Sequence, residues 1–488
     1  MNDEQLLKRT AYGFAWSVVE RSGTQISQLI ISIFLARILS PELFGLTGML
    51  TVFMAIGQSI IDSGFGSALI QKKNHTLIDE CSVFYFNIFI GIILAILMYF
   101  FAPVIAHFFH QEALTSLARV LAINFVINSF GIVQTALLTK DVDFKTQSRI
   151  SIISSVASGA IGIICAYSGC GVWSLVVQSI SGNFFRTVLV WYSRPWRPKW
   201  LFDINSLRKL FSFGSRLLLS GIIDTLYNNI FQIIIGRMFS PANLAFYNRA
   251  NQLQQVPIQL ISTSAKRVTY PIYSMIHDDK ERLLSIFRKT LLTVTAITIP
   301  VMAVLYFTAE PLVIVFYTTK WANSIVYLKL LVFLGVLYPL HLVNLNVLLA
   351  QGHSDKYFRL ELLKKLLGLT VLSFTMKYKI EVMIVGQIIS SFFVYFFINS
   401  HYTKKYLGYS GFRQAKDLLP TILSTILASI SMYLVKRLSG NGMVGLIVIP
   451  SVGVIAYLIA AKLLRVEAVM QLEEILLKRM HKGNYGKD

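Results

Sequence analysis

The residues best suited to bind a ligand are polar side chains within an otherwise apolar stretch, from Ser220 to Gln259. Hydrocarbon is not expected to tolerate such side chains. Polar side chains recur there at four-residue steps and so share one helix face: Ser220, Asp224, Asn228 and Gln232. A second helix after Pro241 carries Asn248, Arg249, Asn251, Gln252, Gln254, Gln255 and Gln259. An unpaired polar group in hydrocarbon costs roughly 2–7 kcal/mol, so such groups face protein or trapped water. The stretch therefore predicts the wall of a polar cavity inside a membrane protein.

The same pattern occurs twice in the chain. A shift of 200 positions places residues 33–41 (IFLARILSP) under residues 233–241 (IIIGRMFSP). The shift also aligns a second polar stripe with the first: Glu20, Thr24, Gln28 and Ser32. Repeats with a site at their interface are how many membrane transporters are built. Two copies of one hairpin therefore predict two homologous halves facing a shared space.

Arginines are the candidate anion ligands, because a guanidinium offers forked, permanently charged donors to phosphate or carboxylate. We assign this role to Arg21, Arg216 and Arg249. The side chains expected around sugar hydroxyls are Gln28, Asn228, Asn229, Gln232, Tyr247 and Gln252. We interpret the carboxylates Glu20 and Asp224 as partners of the arginines, with a proton or sodium site as the alternative. This set is not specific to sugars, since polar cavities also hold drugs or water.

Other charges inside the predicted spans have simpler interpretations. Asp62 is interpreted as a helix-end contact, and Arg119 and Arg186 as residues that snorkel or pair structurally. The cysteines Cys81, Cys165 and Cys170 form neither a CxxC pair nor a metal-ligand set with histidine. No metal or cofactor is expected.

Composition predicts an integral membrane protein. Of 488 residues, 55% are hydrophobic and 14% are charged, whereas soluble proteins have about a quarter charged residues. The net charge of +21 does not indicate nucleic acid, because no basic, aromatic-interleaved soluble domain is present. Lysines and arginines instead cluster in alternate loops, which predicts an even number of spans with both termini in the cytoplasm.

Fourteen apolar runs are long enough to span a bilayer. They lie near residues 12–36, 44–65, 82–106, 114–138, 148–167, 172–192, 211–236, 242–265, 287–308, 325–350, 360–377, 382–402, 418–436 and 443–464. The Pro- and Trp-rich segment after Ser193 interrupts this series and predicts a linker. The expected fold is thus all-α, with two homologous six-helix lobes around a central cavity plus two C-terminal helices. Its domains are 1–192 (N-lobe), 193–209 (cytoplasmic linker), 210–402 (C-lobe), 403–466 (helices thirteen and fourteen) and 467–488 (cytoplasmic amphipathic tail).

Several motifs resemble the polysaccharide flippases of the colanic-acid exporter (WzxC-like) type, in the multidrug/oligosaccharidyl-lipid/polysaccharide exporter superfamily. The similar segments are 62–71 (DSGFGSALIQ), 171–178 (GVWSLVVQ), 196–198 (WRP), 220–229 (SGIIDTLYNN), 236–237 (GR) and 246–250 (FYNRA). The resemblance extends through the twelfth predicted helix and is weaker beyond it.

This resemblance implies a transporter in the bacterial cytoplasmic (inner) membrane, not an enzyme. Its substrate would be a polyprenyl-pyrophosphate-linked oligosaccharide, moved from the cytoplasmic to the outer leaflet by alternating access for surface polysaccharide biosynthesis. For such a substrate, the expected pyrophosphate ligands are Arg216 and, deeper in the membrane, Arg21 or Arg249. The expected partners are this glycolipid, membrane lipid, and the polymerase and export machinery; no nucleic acid is expected, and the chain is expected to act as a monomer. Whether H⁺ or Na⁺ couples to transport is left open.

Two other functions remain as alternatives. A cation-coupled drug or metabolite antiporter of the same architecture would have a cavity carboxylate and little basic character, which Arg21, Arg216 and Arg249 oppose. A membrane glycan polymerase or ligase would carry catalytic groups in a large outer loop, and every predicted outer loop is short. The sequence also has no GxSxG, P-loop, HExxH or GxGxxG motif.

Overall fold

The computed structural model describes residues 3–63, 65–72, 75–276 and 278–474. Among these residues the regular structure is helical throughout. The first helices are α1 (Asp3–Ile38), α2 (Pro41–Ser63), α3 (Phe65–Gln71), α4 (Leu77–Phe109), α5 (Ala113–Leu121), α6 (Ile123–Ser129), α7 (Ile132–Lys140), α8 (Phe144–Tyr167) and α9 (Trp173–Ser193).

The remaining helices follow the predicted linker. They are α10 (Ile204–Met238), α11 (Pro241–Met275), α12 (Lys280–Tyr317), α13 (Ser324–Ala350), α14 (Ser354–Thr375), α15 (Ile380–Phe393), α16 (Ser400–Leu407), α17 (Gly411–Ser439) and α18 (Met443–Leu463). A 3₁₀ turn, Thr319–Trp321, precedes α13, and a π-helix, Val394–Asn399, joins α15 to α16. A further helix begins at Glu467, and the predicted tail beyond residue 474 lies outside the described residues.

Each of the fourteen apolar runs falls on a helix or on a consecutive series of helices. By length and composition, the described part of the chain has nine helices able to cross a membrane, or ten if α5–α6 and α7 form one span bent by 43°. The predicted runs on α1, α9, α11 and α14 are absent from that set. Of these four helices, α1 carries one of the two polar stripes, and α11 carries the polar residues that follow Pro241, so the side chains suited to a ligand lower the hydropathy of these spans. The helix that carries the other stripe, α10, is among the nine.

Contacts divide the chain into two compact units, one ending at Ala245 and the other starting at Phe246. The predicted linker therefore lies inside the first unit. Its side chains and backbone are fixed to α4: the Trp196 indole N–H donates to Glu80 (2.5 Å), and the Asp203 amide donates to the Ser82 hydroxyl (2.9 Å). Because these bonds hold the chain on the first unit, α10 continues there and packs against α2, α3 and α4.

Glycines allow α2 to approach both α10 and the start of α11 closely. The Gly236 Cα faces Phe109 and Met49, and a Cβ there would lie 2.9 Å from the Phe109 ring. Gly45, on α2, lies against the start of α11, where a Cβ would be 1.8 Å from the carbonyl oxygen of Pro241. That atom belongs to the backbone and cannot rotate away.

We therefore expect Gly45→Ala to destabilise the first unit. The helices must separate to admit the methyl group, and overpacking of this kind costs about 1–3 kcal/mol. The thermal unfolding temperature of the purified protein in nanodiscs measures the effect. Gly66→Ala is the matched control, because its Cβ would meet Ile132 at an ordinary 3.4 Å. Equal unfolding temperatures for the two variants would contradict the close approach.

Candidate functional site

A polar cavity of about 710 Å³ lies within the first unit. Residues of α2, α6, α7 and α9 form much of its wall. Its polar lining consists of Thr47, Thr51, Gln58, Asp62, Asn124, Asn128, Thr135, Thr139, Ser179, Asn183, Arg186 and Thr187. Small-molecule sites in proteins commonly have volumes of roughly 300–1,000 Å³. The cavity is therefore large enough for a polar ligand.

The spacing of these residues explains how the helices build the cavity. Gln58 and Asp62 are four residues apart on α2, as are Asn124 and Asn128 on α6. On α9, Ser179, Asn183 and Thr187 continue at the same step. Side chains four residues apart share one helix face, so each helix presents one polar stripe to a common space.

Hydrogen bonds join the stripes of α2 and α6. The Asn128 amide nitrogen donates to the Gln58 side-chain oxygen (2.7 Å), and the Gln58 amide nitrogen donates to an Asp62 carboxylate oxygen (2.7 Å). This relay fixes the orientation of both amides. One end of the relay is an acceptor carboxylate at the cavity surface.

A second relay joins α6 to α9. The Asn183 amide nitrogen donates to the Asn124 oxygen (2.9 Å), and the Asn124 amide nitrogen donates to the Ser179 hydroxyl (3.2 Å). Asn124 is fully buried, so these two bonds satisfy a side chain that would otherwise be costly inside a membrane protein. The relay thus holds the α9 stripe in place.

The cavity contains one residue of each charge, Asp62 and Arg186. Their side chains are exposed and within electrostatic range of each other. The sequence interpretation gave them only a helix-end and a snorkelling or pairing role. In the structure both line the cavity. There Arg186 can bind an anion, and the Asp62 carboxylate can accept a hydrogen bond from a ligand hydroxyl.

The predicted site residues of the first unit occupy several different places. Gln232 lies 3.3 Å from the Thr51 hydroxyl, which lines the cavity, and so borders it. Glu20 accepts a hydrogen bond from Ser151 (2.9 Å), and Asn229 donates to the Thr225 carbonyl (2.7 Å). Three others are exposed: Gln28, Asp224 and Asn228. The side chains of Arg21 and Arg216 lie outside the described residues.

The predicted site residues of the second unit form a cluster around Arg249. This arginine is 5% exposed, and its guanidinium carbon lies 4.7 Å from the ring centre of Tyr317 and 4.9 Å from that of Trp321. Its Nη1 donates to the Gln252 side-chain oxygen (2.9 Å). Tyr247 is also buried, and Gln252 is exposed.

Most of the cavity residues were not predicted from the sequence, although their four-residue spacing could have identified them. Gln58, Asn124, Asn128 and Asn183 each lie within an apolar run, at four-residue spacing from another polar residue. The repeat instead favoured the two aligned stripes on α1 and α10. At the 200-residue shift Gln58 aligns with the buried Ile258, so this stripe has no complete second copy.

The chain is similar to proteins of bacterial polysaccharide biosynthesis. The family described as "Polysaccharide biosynthesis protein" matches residues 34–326. The teichuronic acid biosynthesis protein TuaB of Bacillus subtilis is 28% identical over 355 residues, covering 72% of this chain and 74% of TuaB. The lipopolysaccharide biosynthesis protein WzxC of Escherichia coli is 26% identical over 371 residues, 74% of each chain. The succinoglycan biosynthesis transport protein ExoT of Rhizobium meliloti is 26% identical over 318 residues, 65% of this chain and 64% of ExoT.

Two solved structures have the same fold. The lipid II flippase MurJ in its inward closed conformation aligns with a TM-score of 0.75 at 15% identity, covering 92% of this chain and 98% of that one. An inward-facing multidrug resistance MATE family transporter of the MOP superfamily aligns with a TM-score of 0.62 at 15% identity, covering 80% and 98%.

Proposed function

The chain belongs to the polysaccharide biosynthesis protein family, and from this premise we propose that it is a flippase for lipid-linked oligosaccharides. It is a multi-pass membrane transport protein of the MOP superfamily. Its substrate in this proposal is a polyprenyl-pyrophosphate-linked oligosaccharide. Alternating access moves the glycan from the cytoplasmic to the outer leaflet.

The observation that carries this proposal is the amide- and hydroxyl-lined cavity within apolar helices. A glycan head group cannot cross hydrocarbon unaided, because its hydroxyls would lose their hydrogen bonds to water. The cavity replaces those bonds with amide donors and acceptors held by the two relays. A drug antiporter has less need for such a lining, since most drug-sized ligands bind in predominantly apolar pockets.

We assign distinct parts of the substrate to distinct side chains. Asn128, Asn183 and Asp62 bind sugar hydroxyls, and Arg186 binds an anionic group, either the pyrophosphate or an acidic sugar. Arg21, Arg216 and Arg249 remain proposed pyrophosphate ligands on the sequence argument alone. With an inside-negative membrane potential, outward movement of negative charge is favoured by about 2.3 kcal/mol per charge per 100 mV.

The proposal includes a finer architecture and a membrane orientation. We propose fourteen spans, with residues 1–192 and 210–402 as homologous six-helix lobes, 193–209 as the linker between them, and 403–466 as two further helices. Both termini and the tail, 467–488, lie in the cytoplasm. The alternating distribution of lysine and arginine supports this orientation.

Translocation in proteoliposomes tests the function. Vesicles containing polyprenyl-pyrophosphate oligosaccharide are exposed to an external glycan-cleaving reagent, and cleavage of lipid initially in the inner leaflet is followed with time. We expect wild-type protein to make this pool accessible. No translocation of several such lipids by folded protein would overturn the flippase proposal and favour the antiporter.

Asn128→Leu tests the cavity in the same assay. Losing the bond to Gln58 and adding an apolar group should slow translocation roughly threefold to tenfold, as expected for about 0.5–1.5 kcal/mol per hydrogen bond. Asn205→Leu is the matched control, because Asn205 is exposed and does not line the cavity. Equal translocation rates for the two variants would show that the cavity is not part of the transport path.

A further inference from the structure

The second unit buries a histidine, His341, in the middle of α13. The side chain is only 9% exposed and lies within a predicted span. Ionisable residues in such positions are uncommon and are functional candidates by default. The cavity of the first unit and the predicted substrate ligands do not involve this residue.

The partners of the ring are two side chains that can each reverse their hydrogen-bonding role. His341 Nε2 lies 3.0 Å from the Ser391 hydroxyl, and Nδ1 lies 2.7 Å from the Asn399 amide nitrogen. With Asn399 donating, Nδ1 is the acceptor and Nε2 carries the proton. A hydroxyl accepts as well as it donates, and an amide does both by turning about its last bond.

The Asn399 oxygen is already available for the reversed arrangement. Asn399 is 2% exposed, and its Oδ1 is buried without a hydrogen-bond partner in the described structure. Orphaned buried acceptors are rare and costly. If Nδ1 gains a proton, a half-turn of the amide directs Oδ1 at the new N–H, so that the imidazolium has an acceptor at both nitrogens.

The ring also bridges a π-helix. Ser391 lies on α15, before the π-helix, and Asn399 is its last residue. π-Helical segments are rare and are frequently found at functional sites. The protonation state of His341 therefore determines how the two sides of this irregular segment are held together.

A buried network carries the effect to neighbouring helices. The Tyr395 hydroxyl, on the π-helix, donates to the Gln414 oxygen (2.8 Å) on α17. The Gln414 amide nitrogen donates to Thr403 (3.0 Å) on α16. Thr403 in turn donates to the backbone carbonyl of Asn399 (3.3 Å), which ties the end of the π-helix to α16 and α17.

The charged and titratable groups around this network come from α12, α14, the π-helix, α17 and the loop that precedes α17. Lys364, on α14, faces His341 and is paired with Glu361 at 2.7 Å. Tyr395 packs edge-on against the imidazole at 5.7 Å. Beyond Tyr395, Tyr409 donates to Asp417 (2.6 Å), which also accepts from Arg288 (2.7 Å). Burial of the ring and the charge of Lys364 both oppose a second cation, so protonation of His341 depends on the acceptors at its two ring nitrogens.

We propose that His341 is a proton-binding site whose occupancy turns the Asn399 amide and changes the packing of the π-helix. The proton is exchanged with water, and no other bond is made or broken. Its coupling to translocation rests on the proposed transport function, whereas the proton site itself does not. In that coupled form, binding of a proton at His341 changes the packing of the π-helix during the transport cycle.

Nitrogen NMR of the histidine rings tests the site without any substrate. The protein has eight histidines, and the resonances lost in His341→Gln identify this ring. We expect it to change from the neutral Nε2–H form to the doubly protonated form as the pH is lowered. Asn399→Leu removes the acceptor, and the His341 ring should then stay neutral in folded protein. A wild-type ring that stays neutral throughout would overturn the proposal.

Translocation under a pH gradient tests the coupling. A one-unit pH gradient changes the equilibrium ratio of glycolipid between the two leaflets by up to about tenfold per coupled proton, and we expect this response in wild-type protein. His341→Gln should lose it, while His401→Gln, an exposed histidine on α16, should keep it. A ring that titrates without any gradient response would overturn the coupling alone. If wild-type protein moves no glycolipid, the flippase proposal fails, and the NMR experiment still decides the proton site.

Discussion

Replacing Arg186 with glutamine is expected to slow glycolipid translocation by about tenfold to a hundredfold without destabilising the protein. Hydrogen bonds to charged groups contribute roughly 1.5–3 kcal/mol, and Arg186 is the arginine among the residues lining the cavity. Its side chain is exposed to the cavity and does not support a packed core. Its loss should therefore affect substrate binding much more than folding.

Two controls make this prediction specific. Arg119→Gln removes another intramembrane arginine of the first unit, whose guanidinium stacks on Tyr99 at 4.6 Å and does not line the cavity. We expect it to retain translocation. Arg186→Lys keeps the charge but loses the forked geometry, so its rate should fall between those of wild type and glutamine. Rates for Arg186→Gln equal to those of Arg119→Gln would remove Arg186 from the transport path.

Asp62 has a structural role in addition to its place in the cavity wall. As the acceptor at the end of the Asp62–Gln58–Asn128 relay, it orients two amides as well as facing the cavity.

The translocation assay can compare glycolipids with neutral and acidic sugars. Arg186→Gln should discriminate against the acidic head group if the arginine binds the glycan, and should impair both equally if it binds the pyrophosphate that they share.

The helices could be predicted from the sequence because each depends on a local apolar run. All fourteen runs coincide with helices, although the run at residues 114–138 was predicted as one span and is bent between α6 and α7. The cavity depends instead on which helices pack together. Asn124 on α6 meets Ser179 and Asn183 on α9, more than fifty residues away in sequence. Four-residue spacing identifies each stripe but does not say which stripes face one another.

The repeat was informative about helices and less so about the site. It correctly predicted that α1 and α10 both end just before a Ser-Pro turn, but α1 packs mainly on α8 and α10 mainly on α2, not each on the helix that follows it. It did not indicate that α10 packs on α2, where Gly236 lies against Met49, or that Gly45 on α2 lies against Pro241 at the start of α11. Gly45 aligns with Ala245, so the feature that permits the approach is not repeated.

Arg249 shows how one sequence pattern leads to two structural roles. The sequence predicts it as a pyrophosphate ligand, because an intramembrane guanidinium suits that group. The structure covers the guanidinium with Tyr317, at the end of α12, and Trp321, in the following 3₁₀ turn. Both rings are almost fully buried. A phosphate must displace these contacts to reach the guanidinium, so binding there requires the turn to move.

Arg249→Ala is therefore expected to lower the free energy of unfolding of the second unit by about 2–4 kcal/mol. A desolvated cation–π contact contributes about 2 kcal/mol, and the truncation also leaves a void beneath the two rings. Thermal unfolding followed by tryptophan fluorescence measures the loss. Arg237→Ala is the control, because that guanidinium contacts a single ring, Phe108 at 5.3 Å, and is only partly buried.

Stability and translocation together separate the two roles of Arg249. Because packing explains its position, we expect Arg249→Met, which keeps much of the side-chain volume, to recover most of the stability lost in the alanine variant. If packing is its whole contribution, Arg249→Met should also translocate glycolipid at a rate close to wild type, in contrast to Arg186→Gln. A stable Arg249→Met protein that moves no glycolipid would instead assign the guanidinium to the pyrophosphate. The turn over Trp321 would then have to open during each transport cycle.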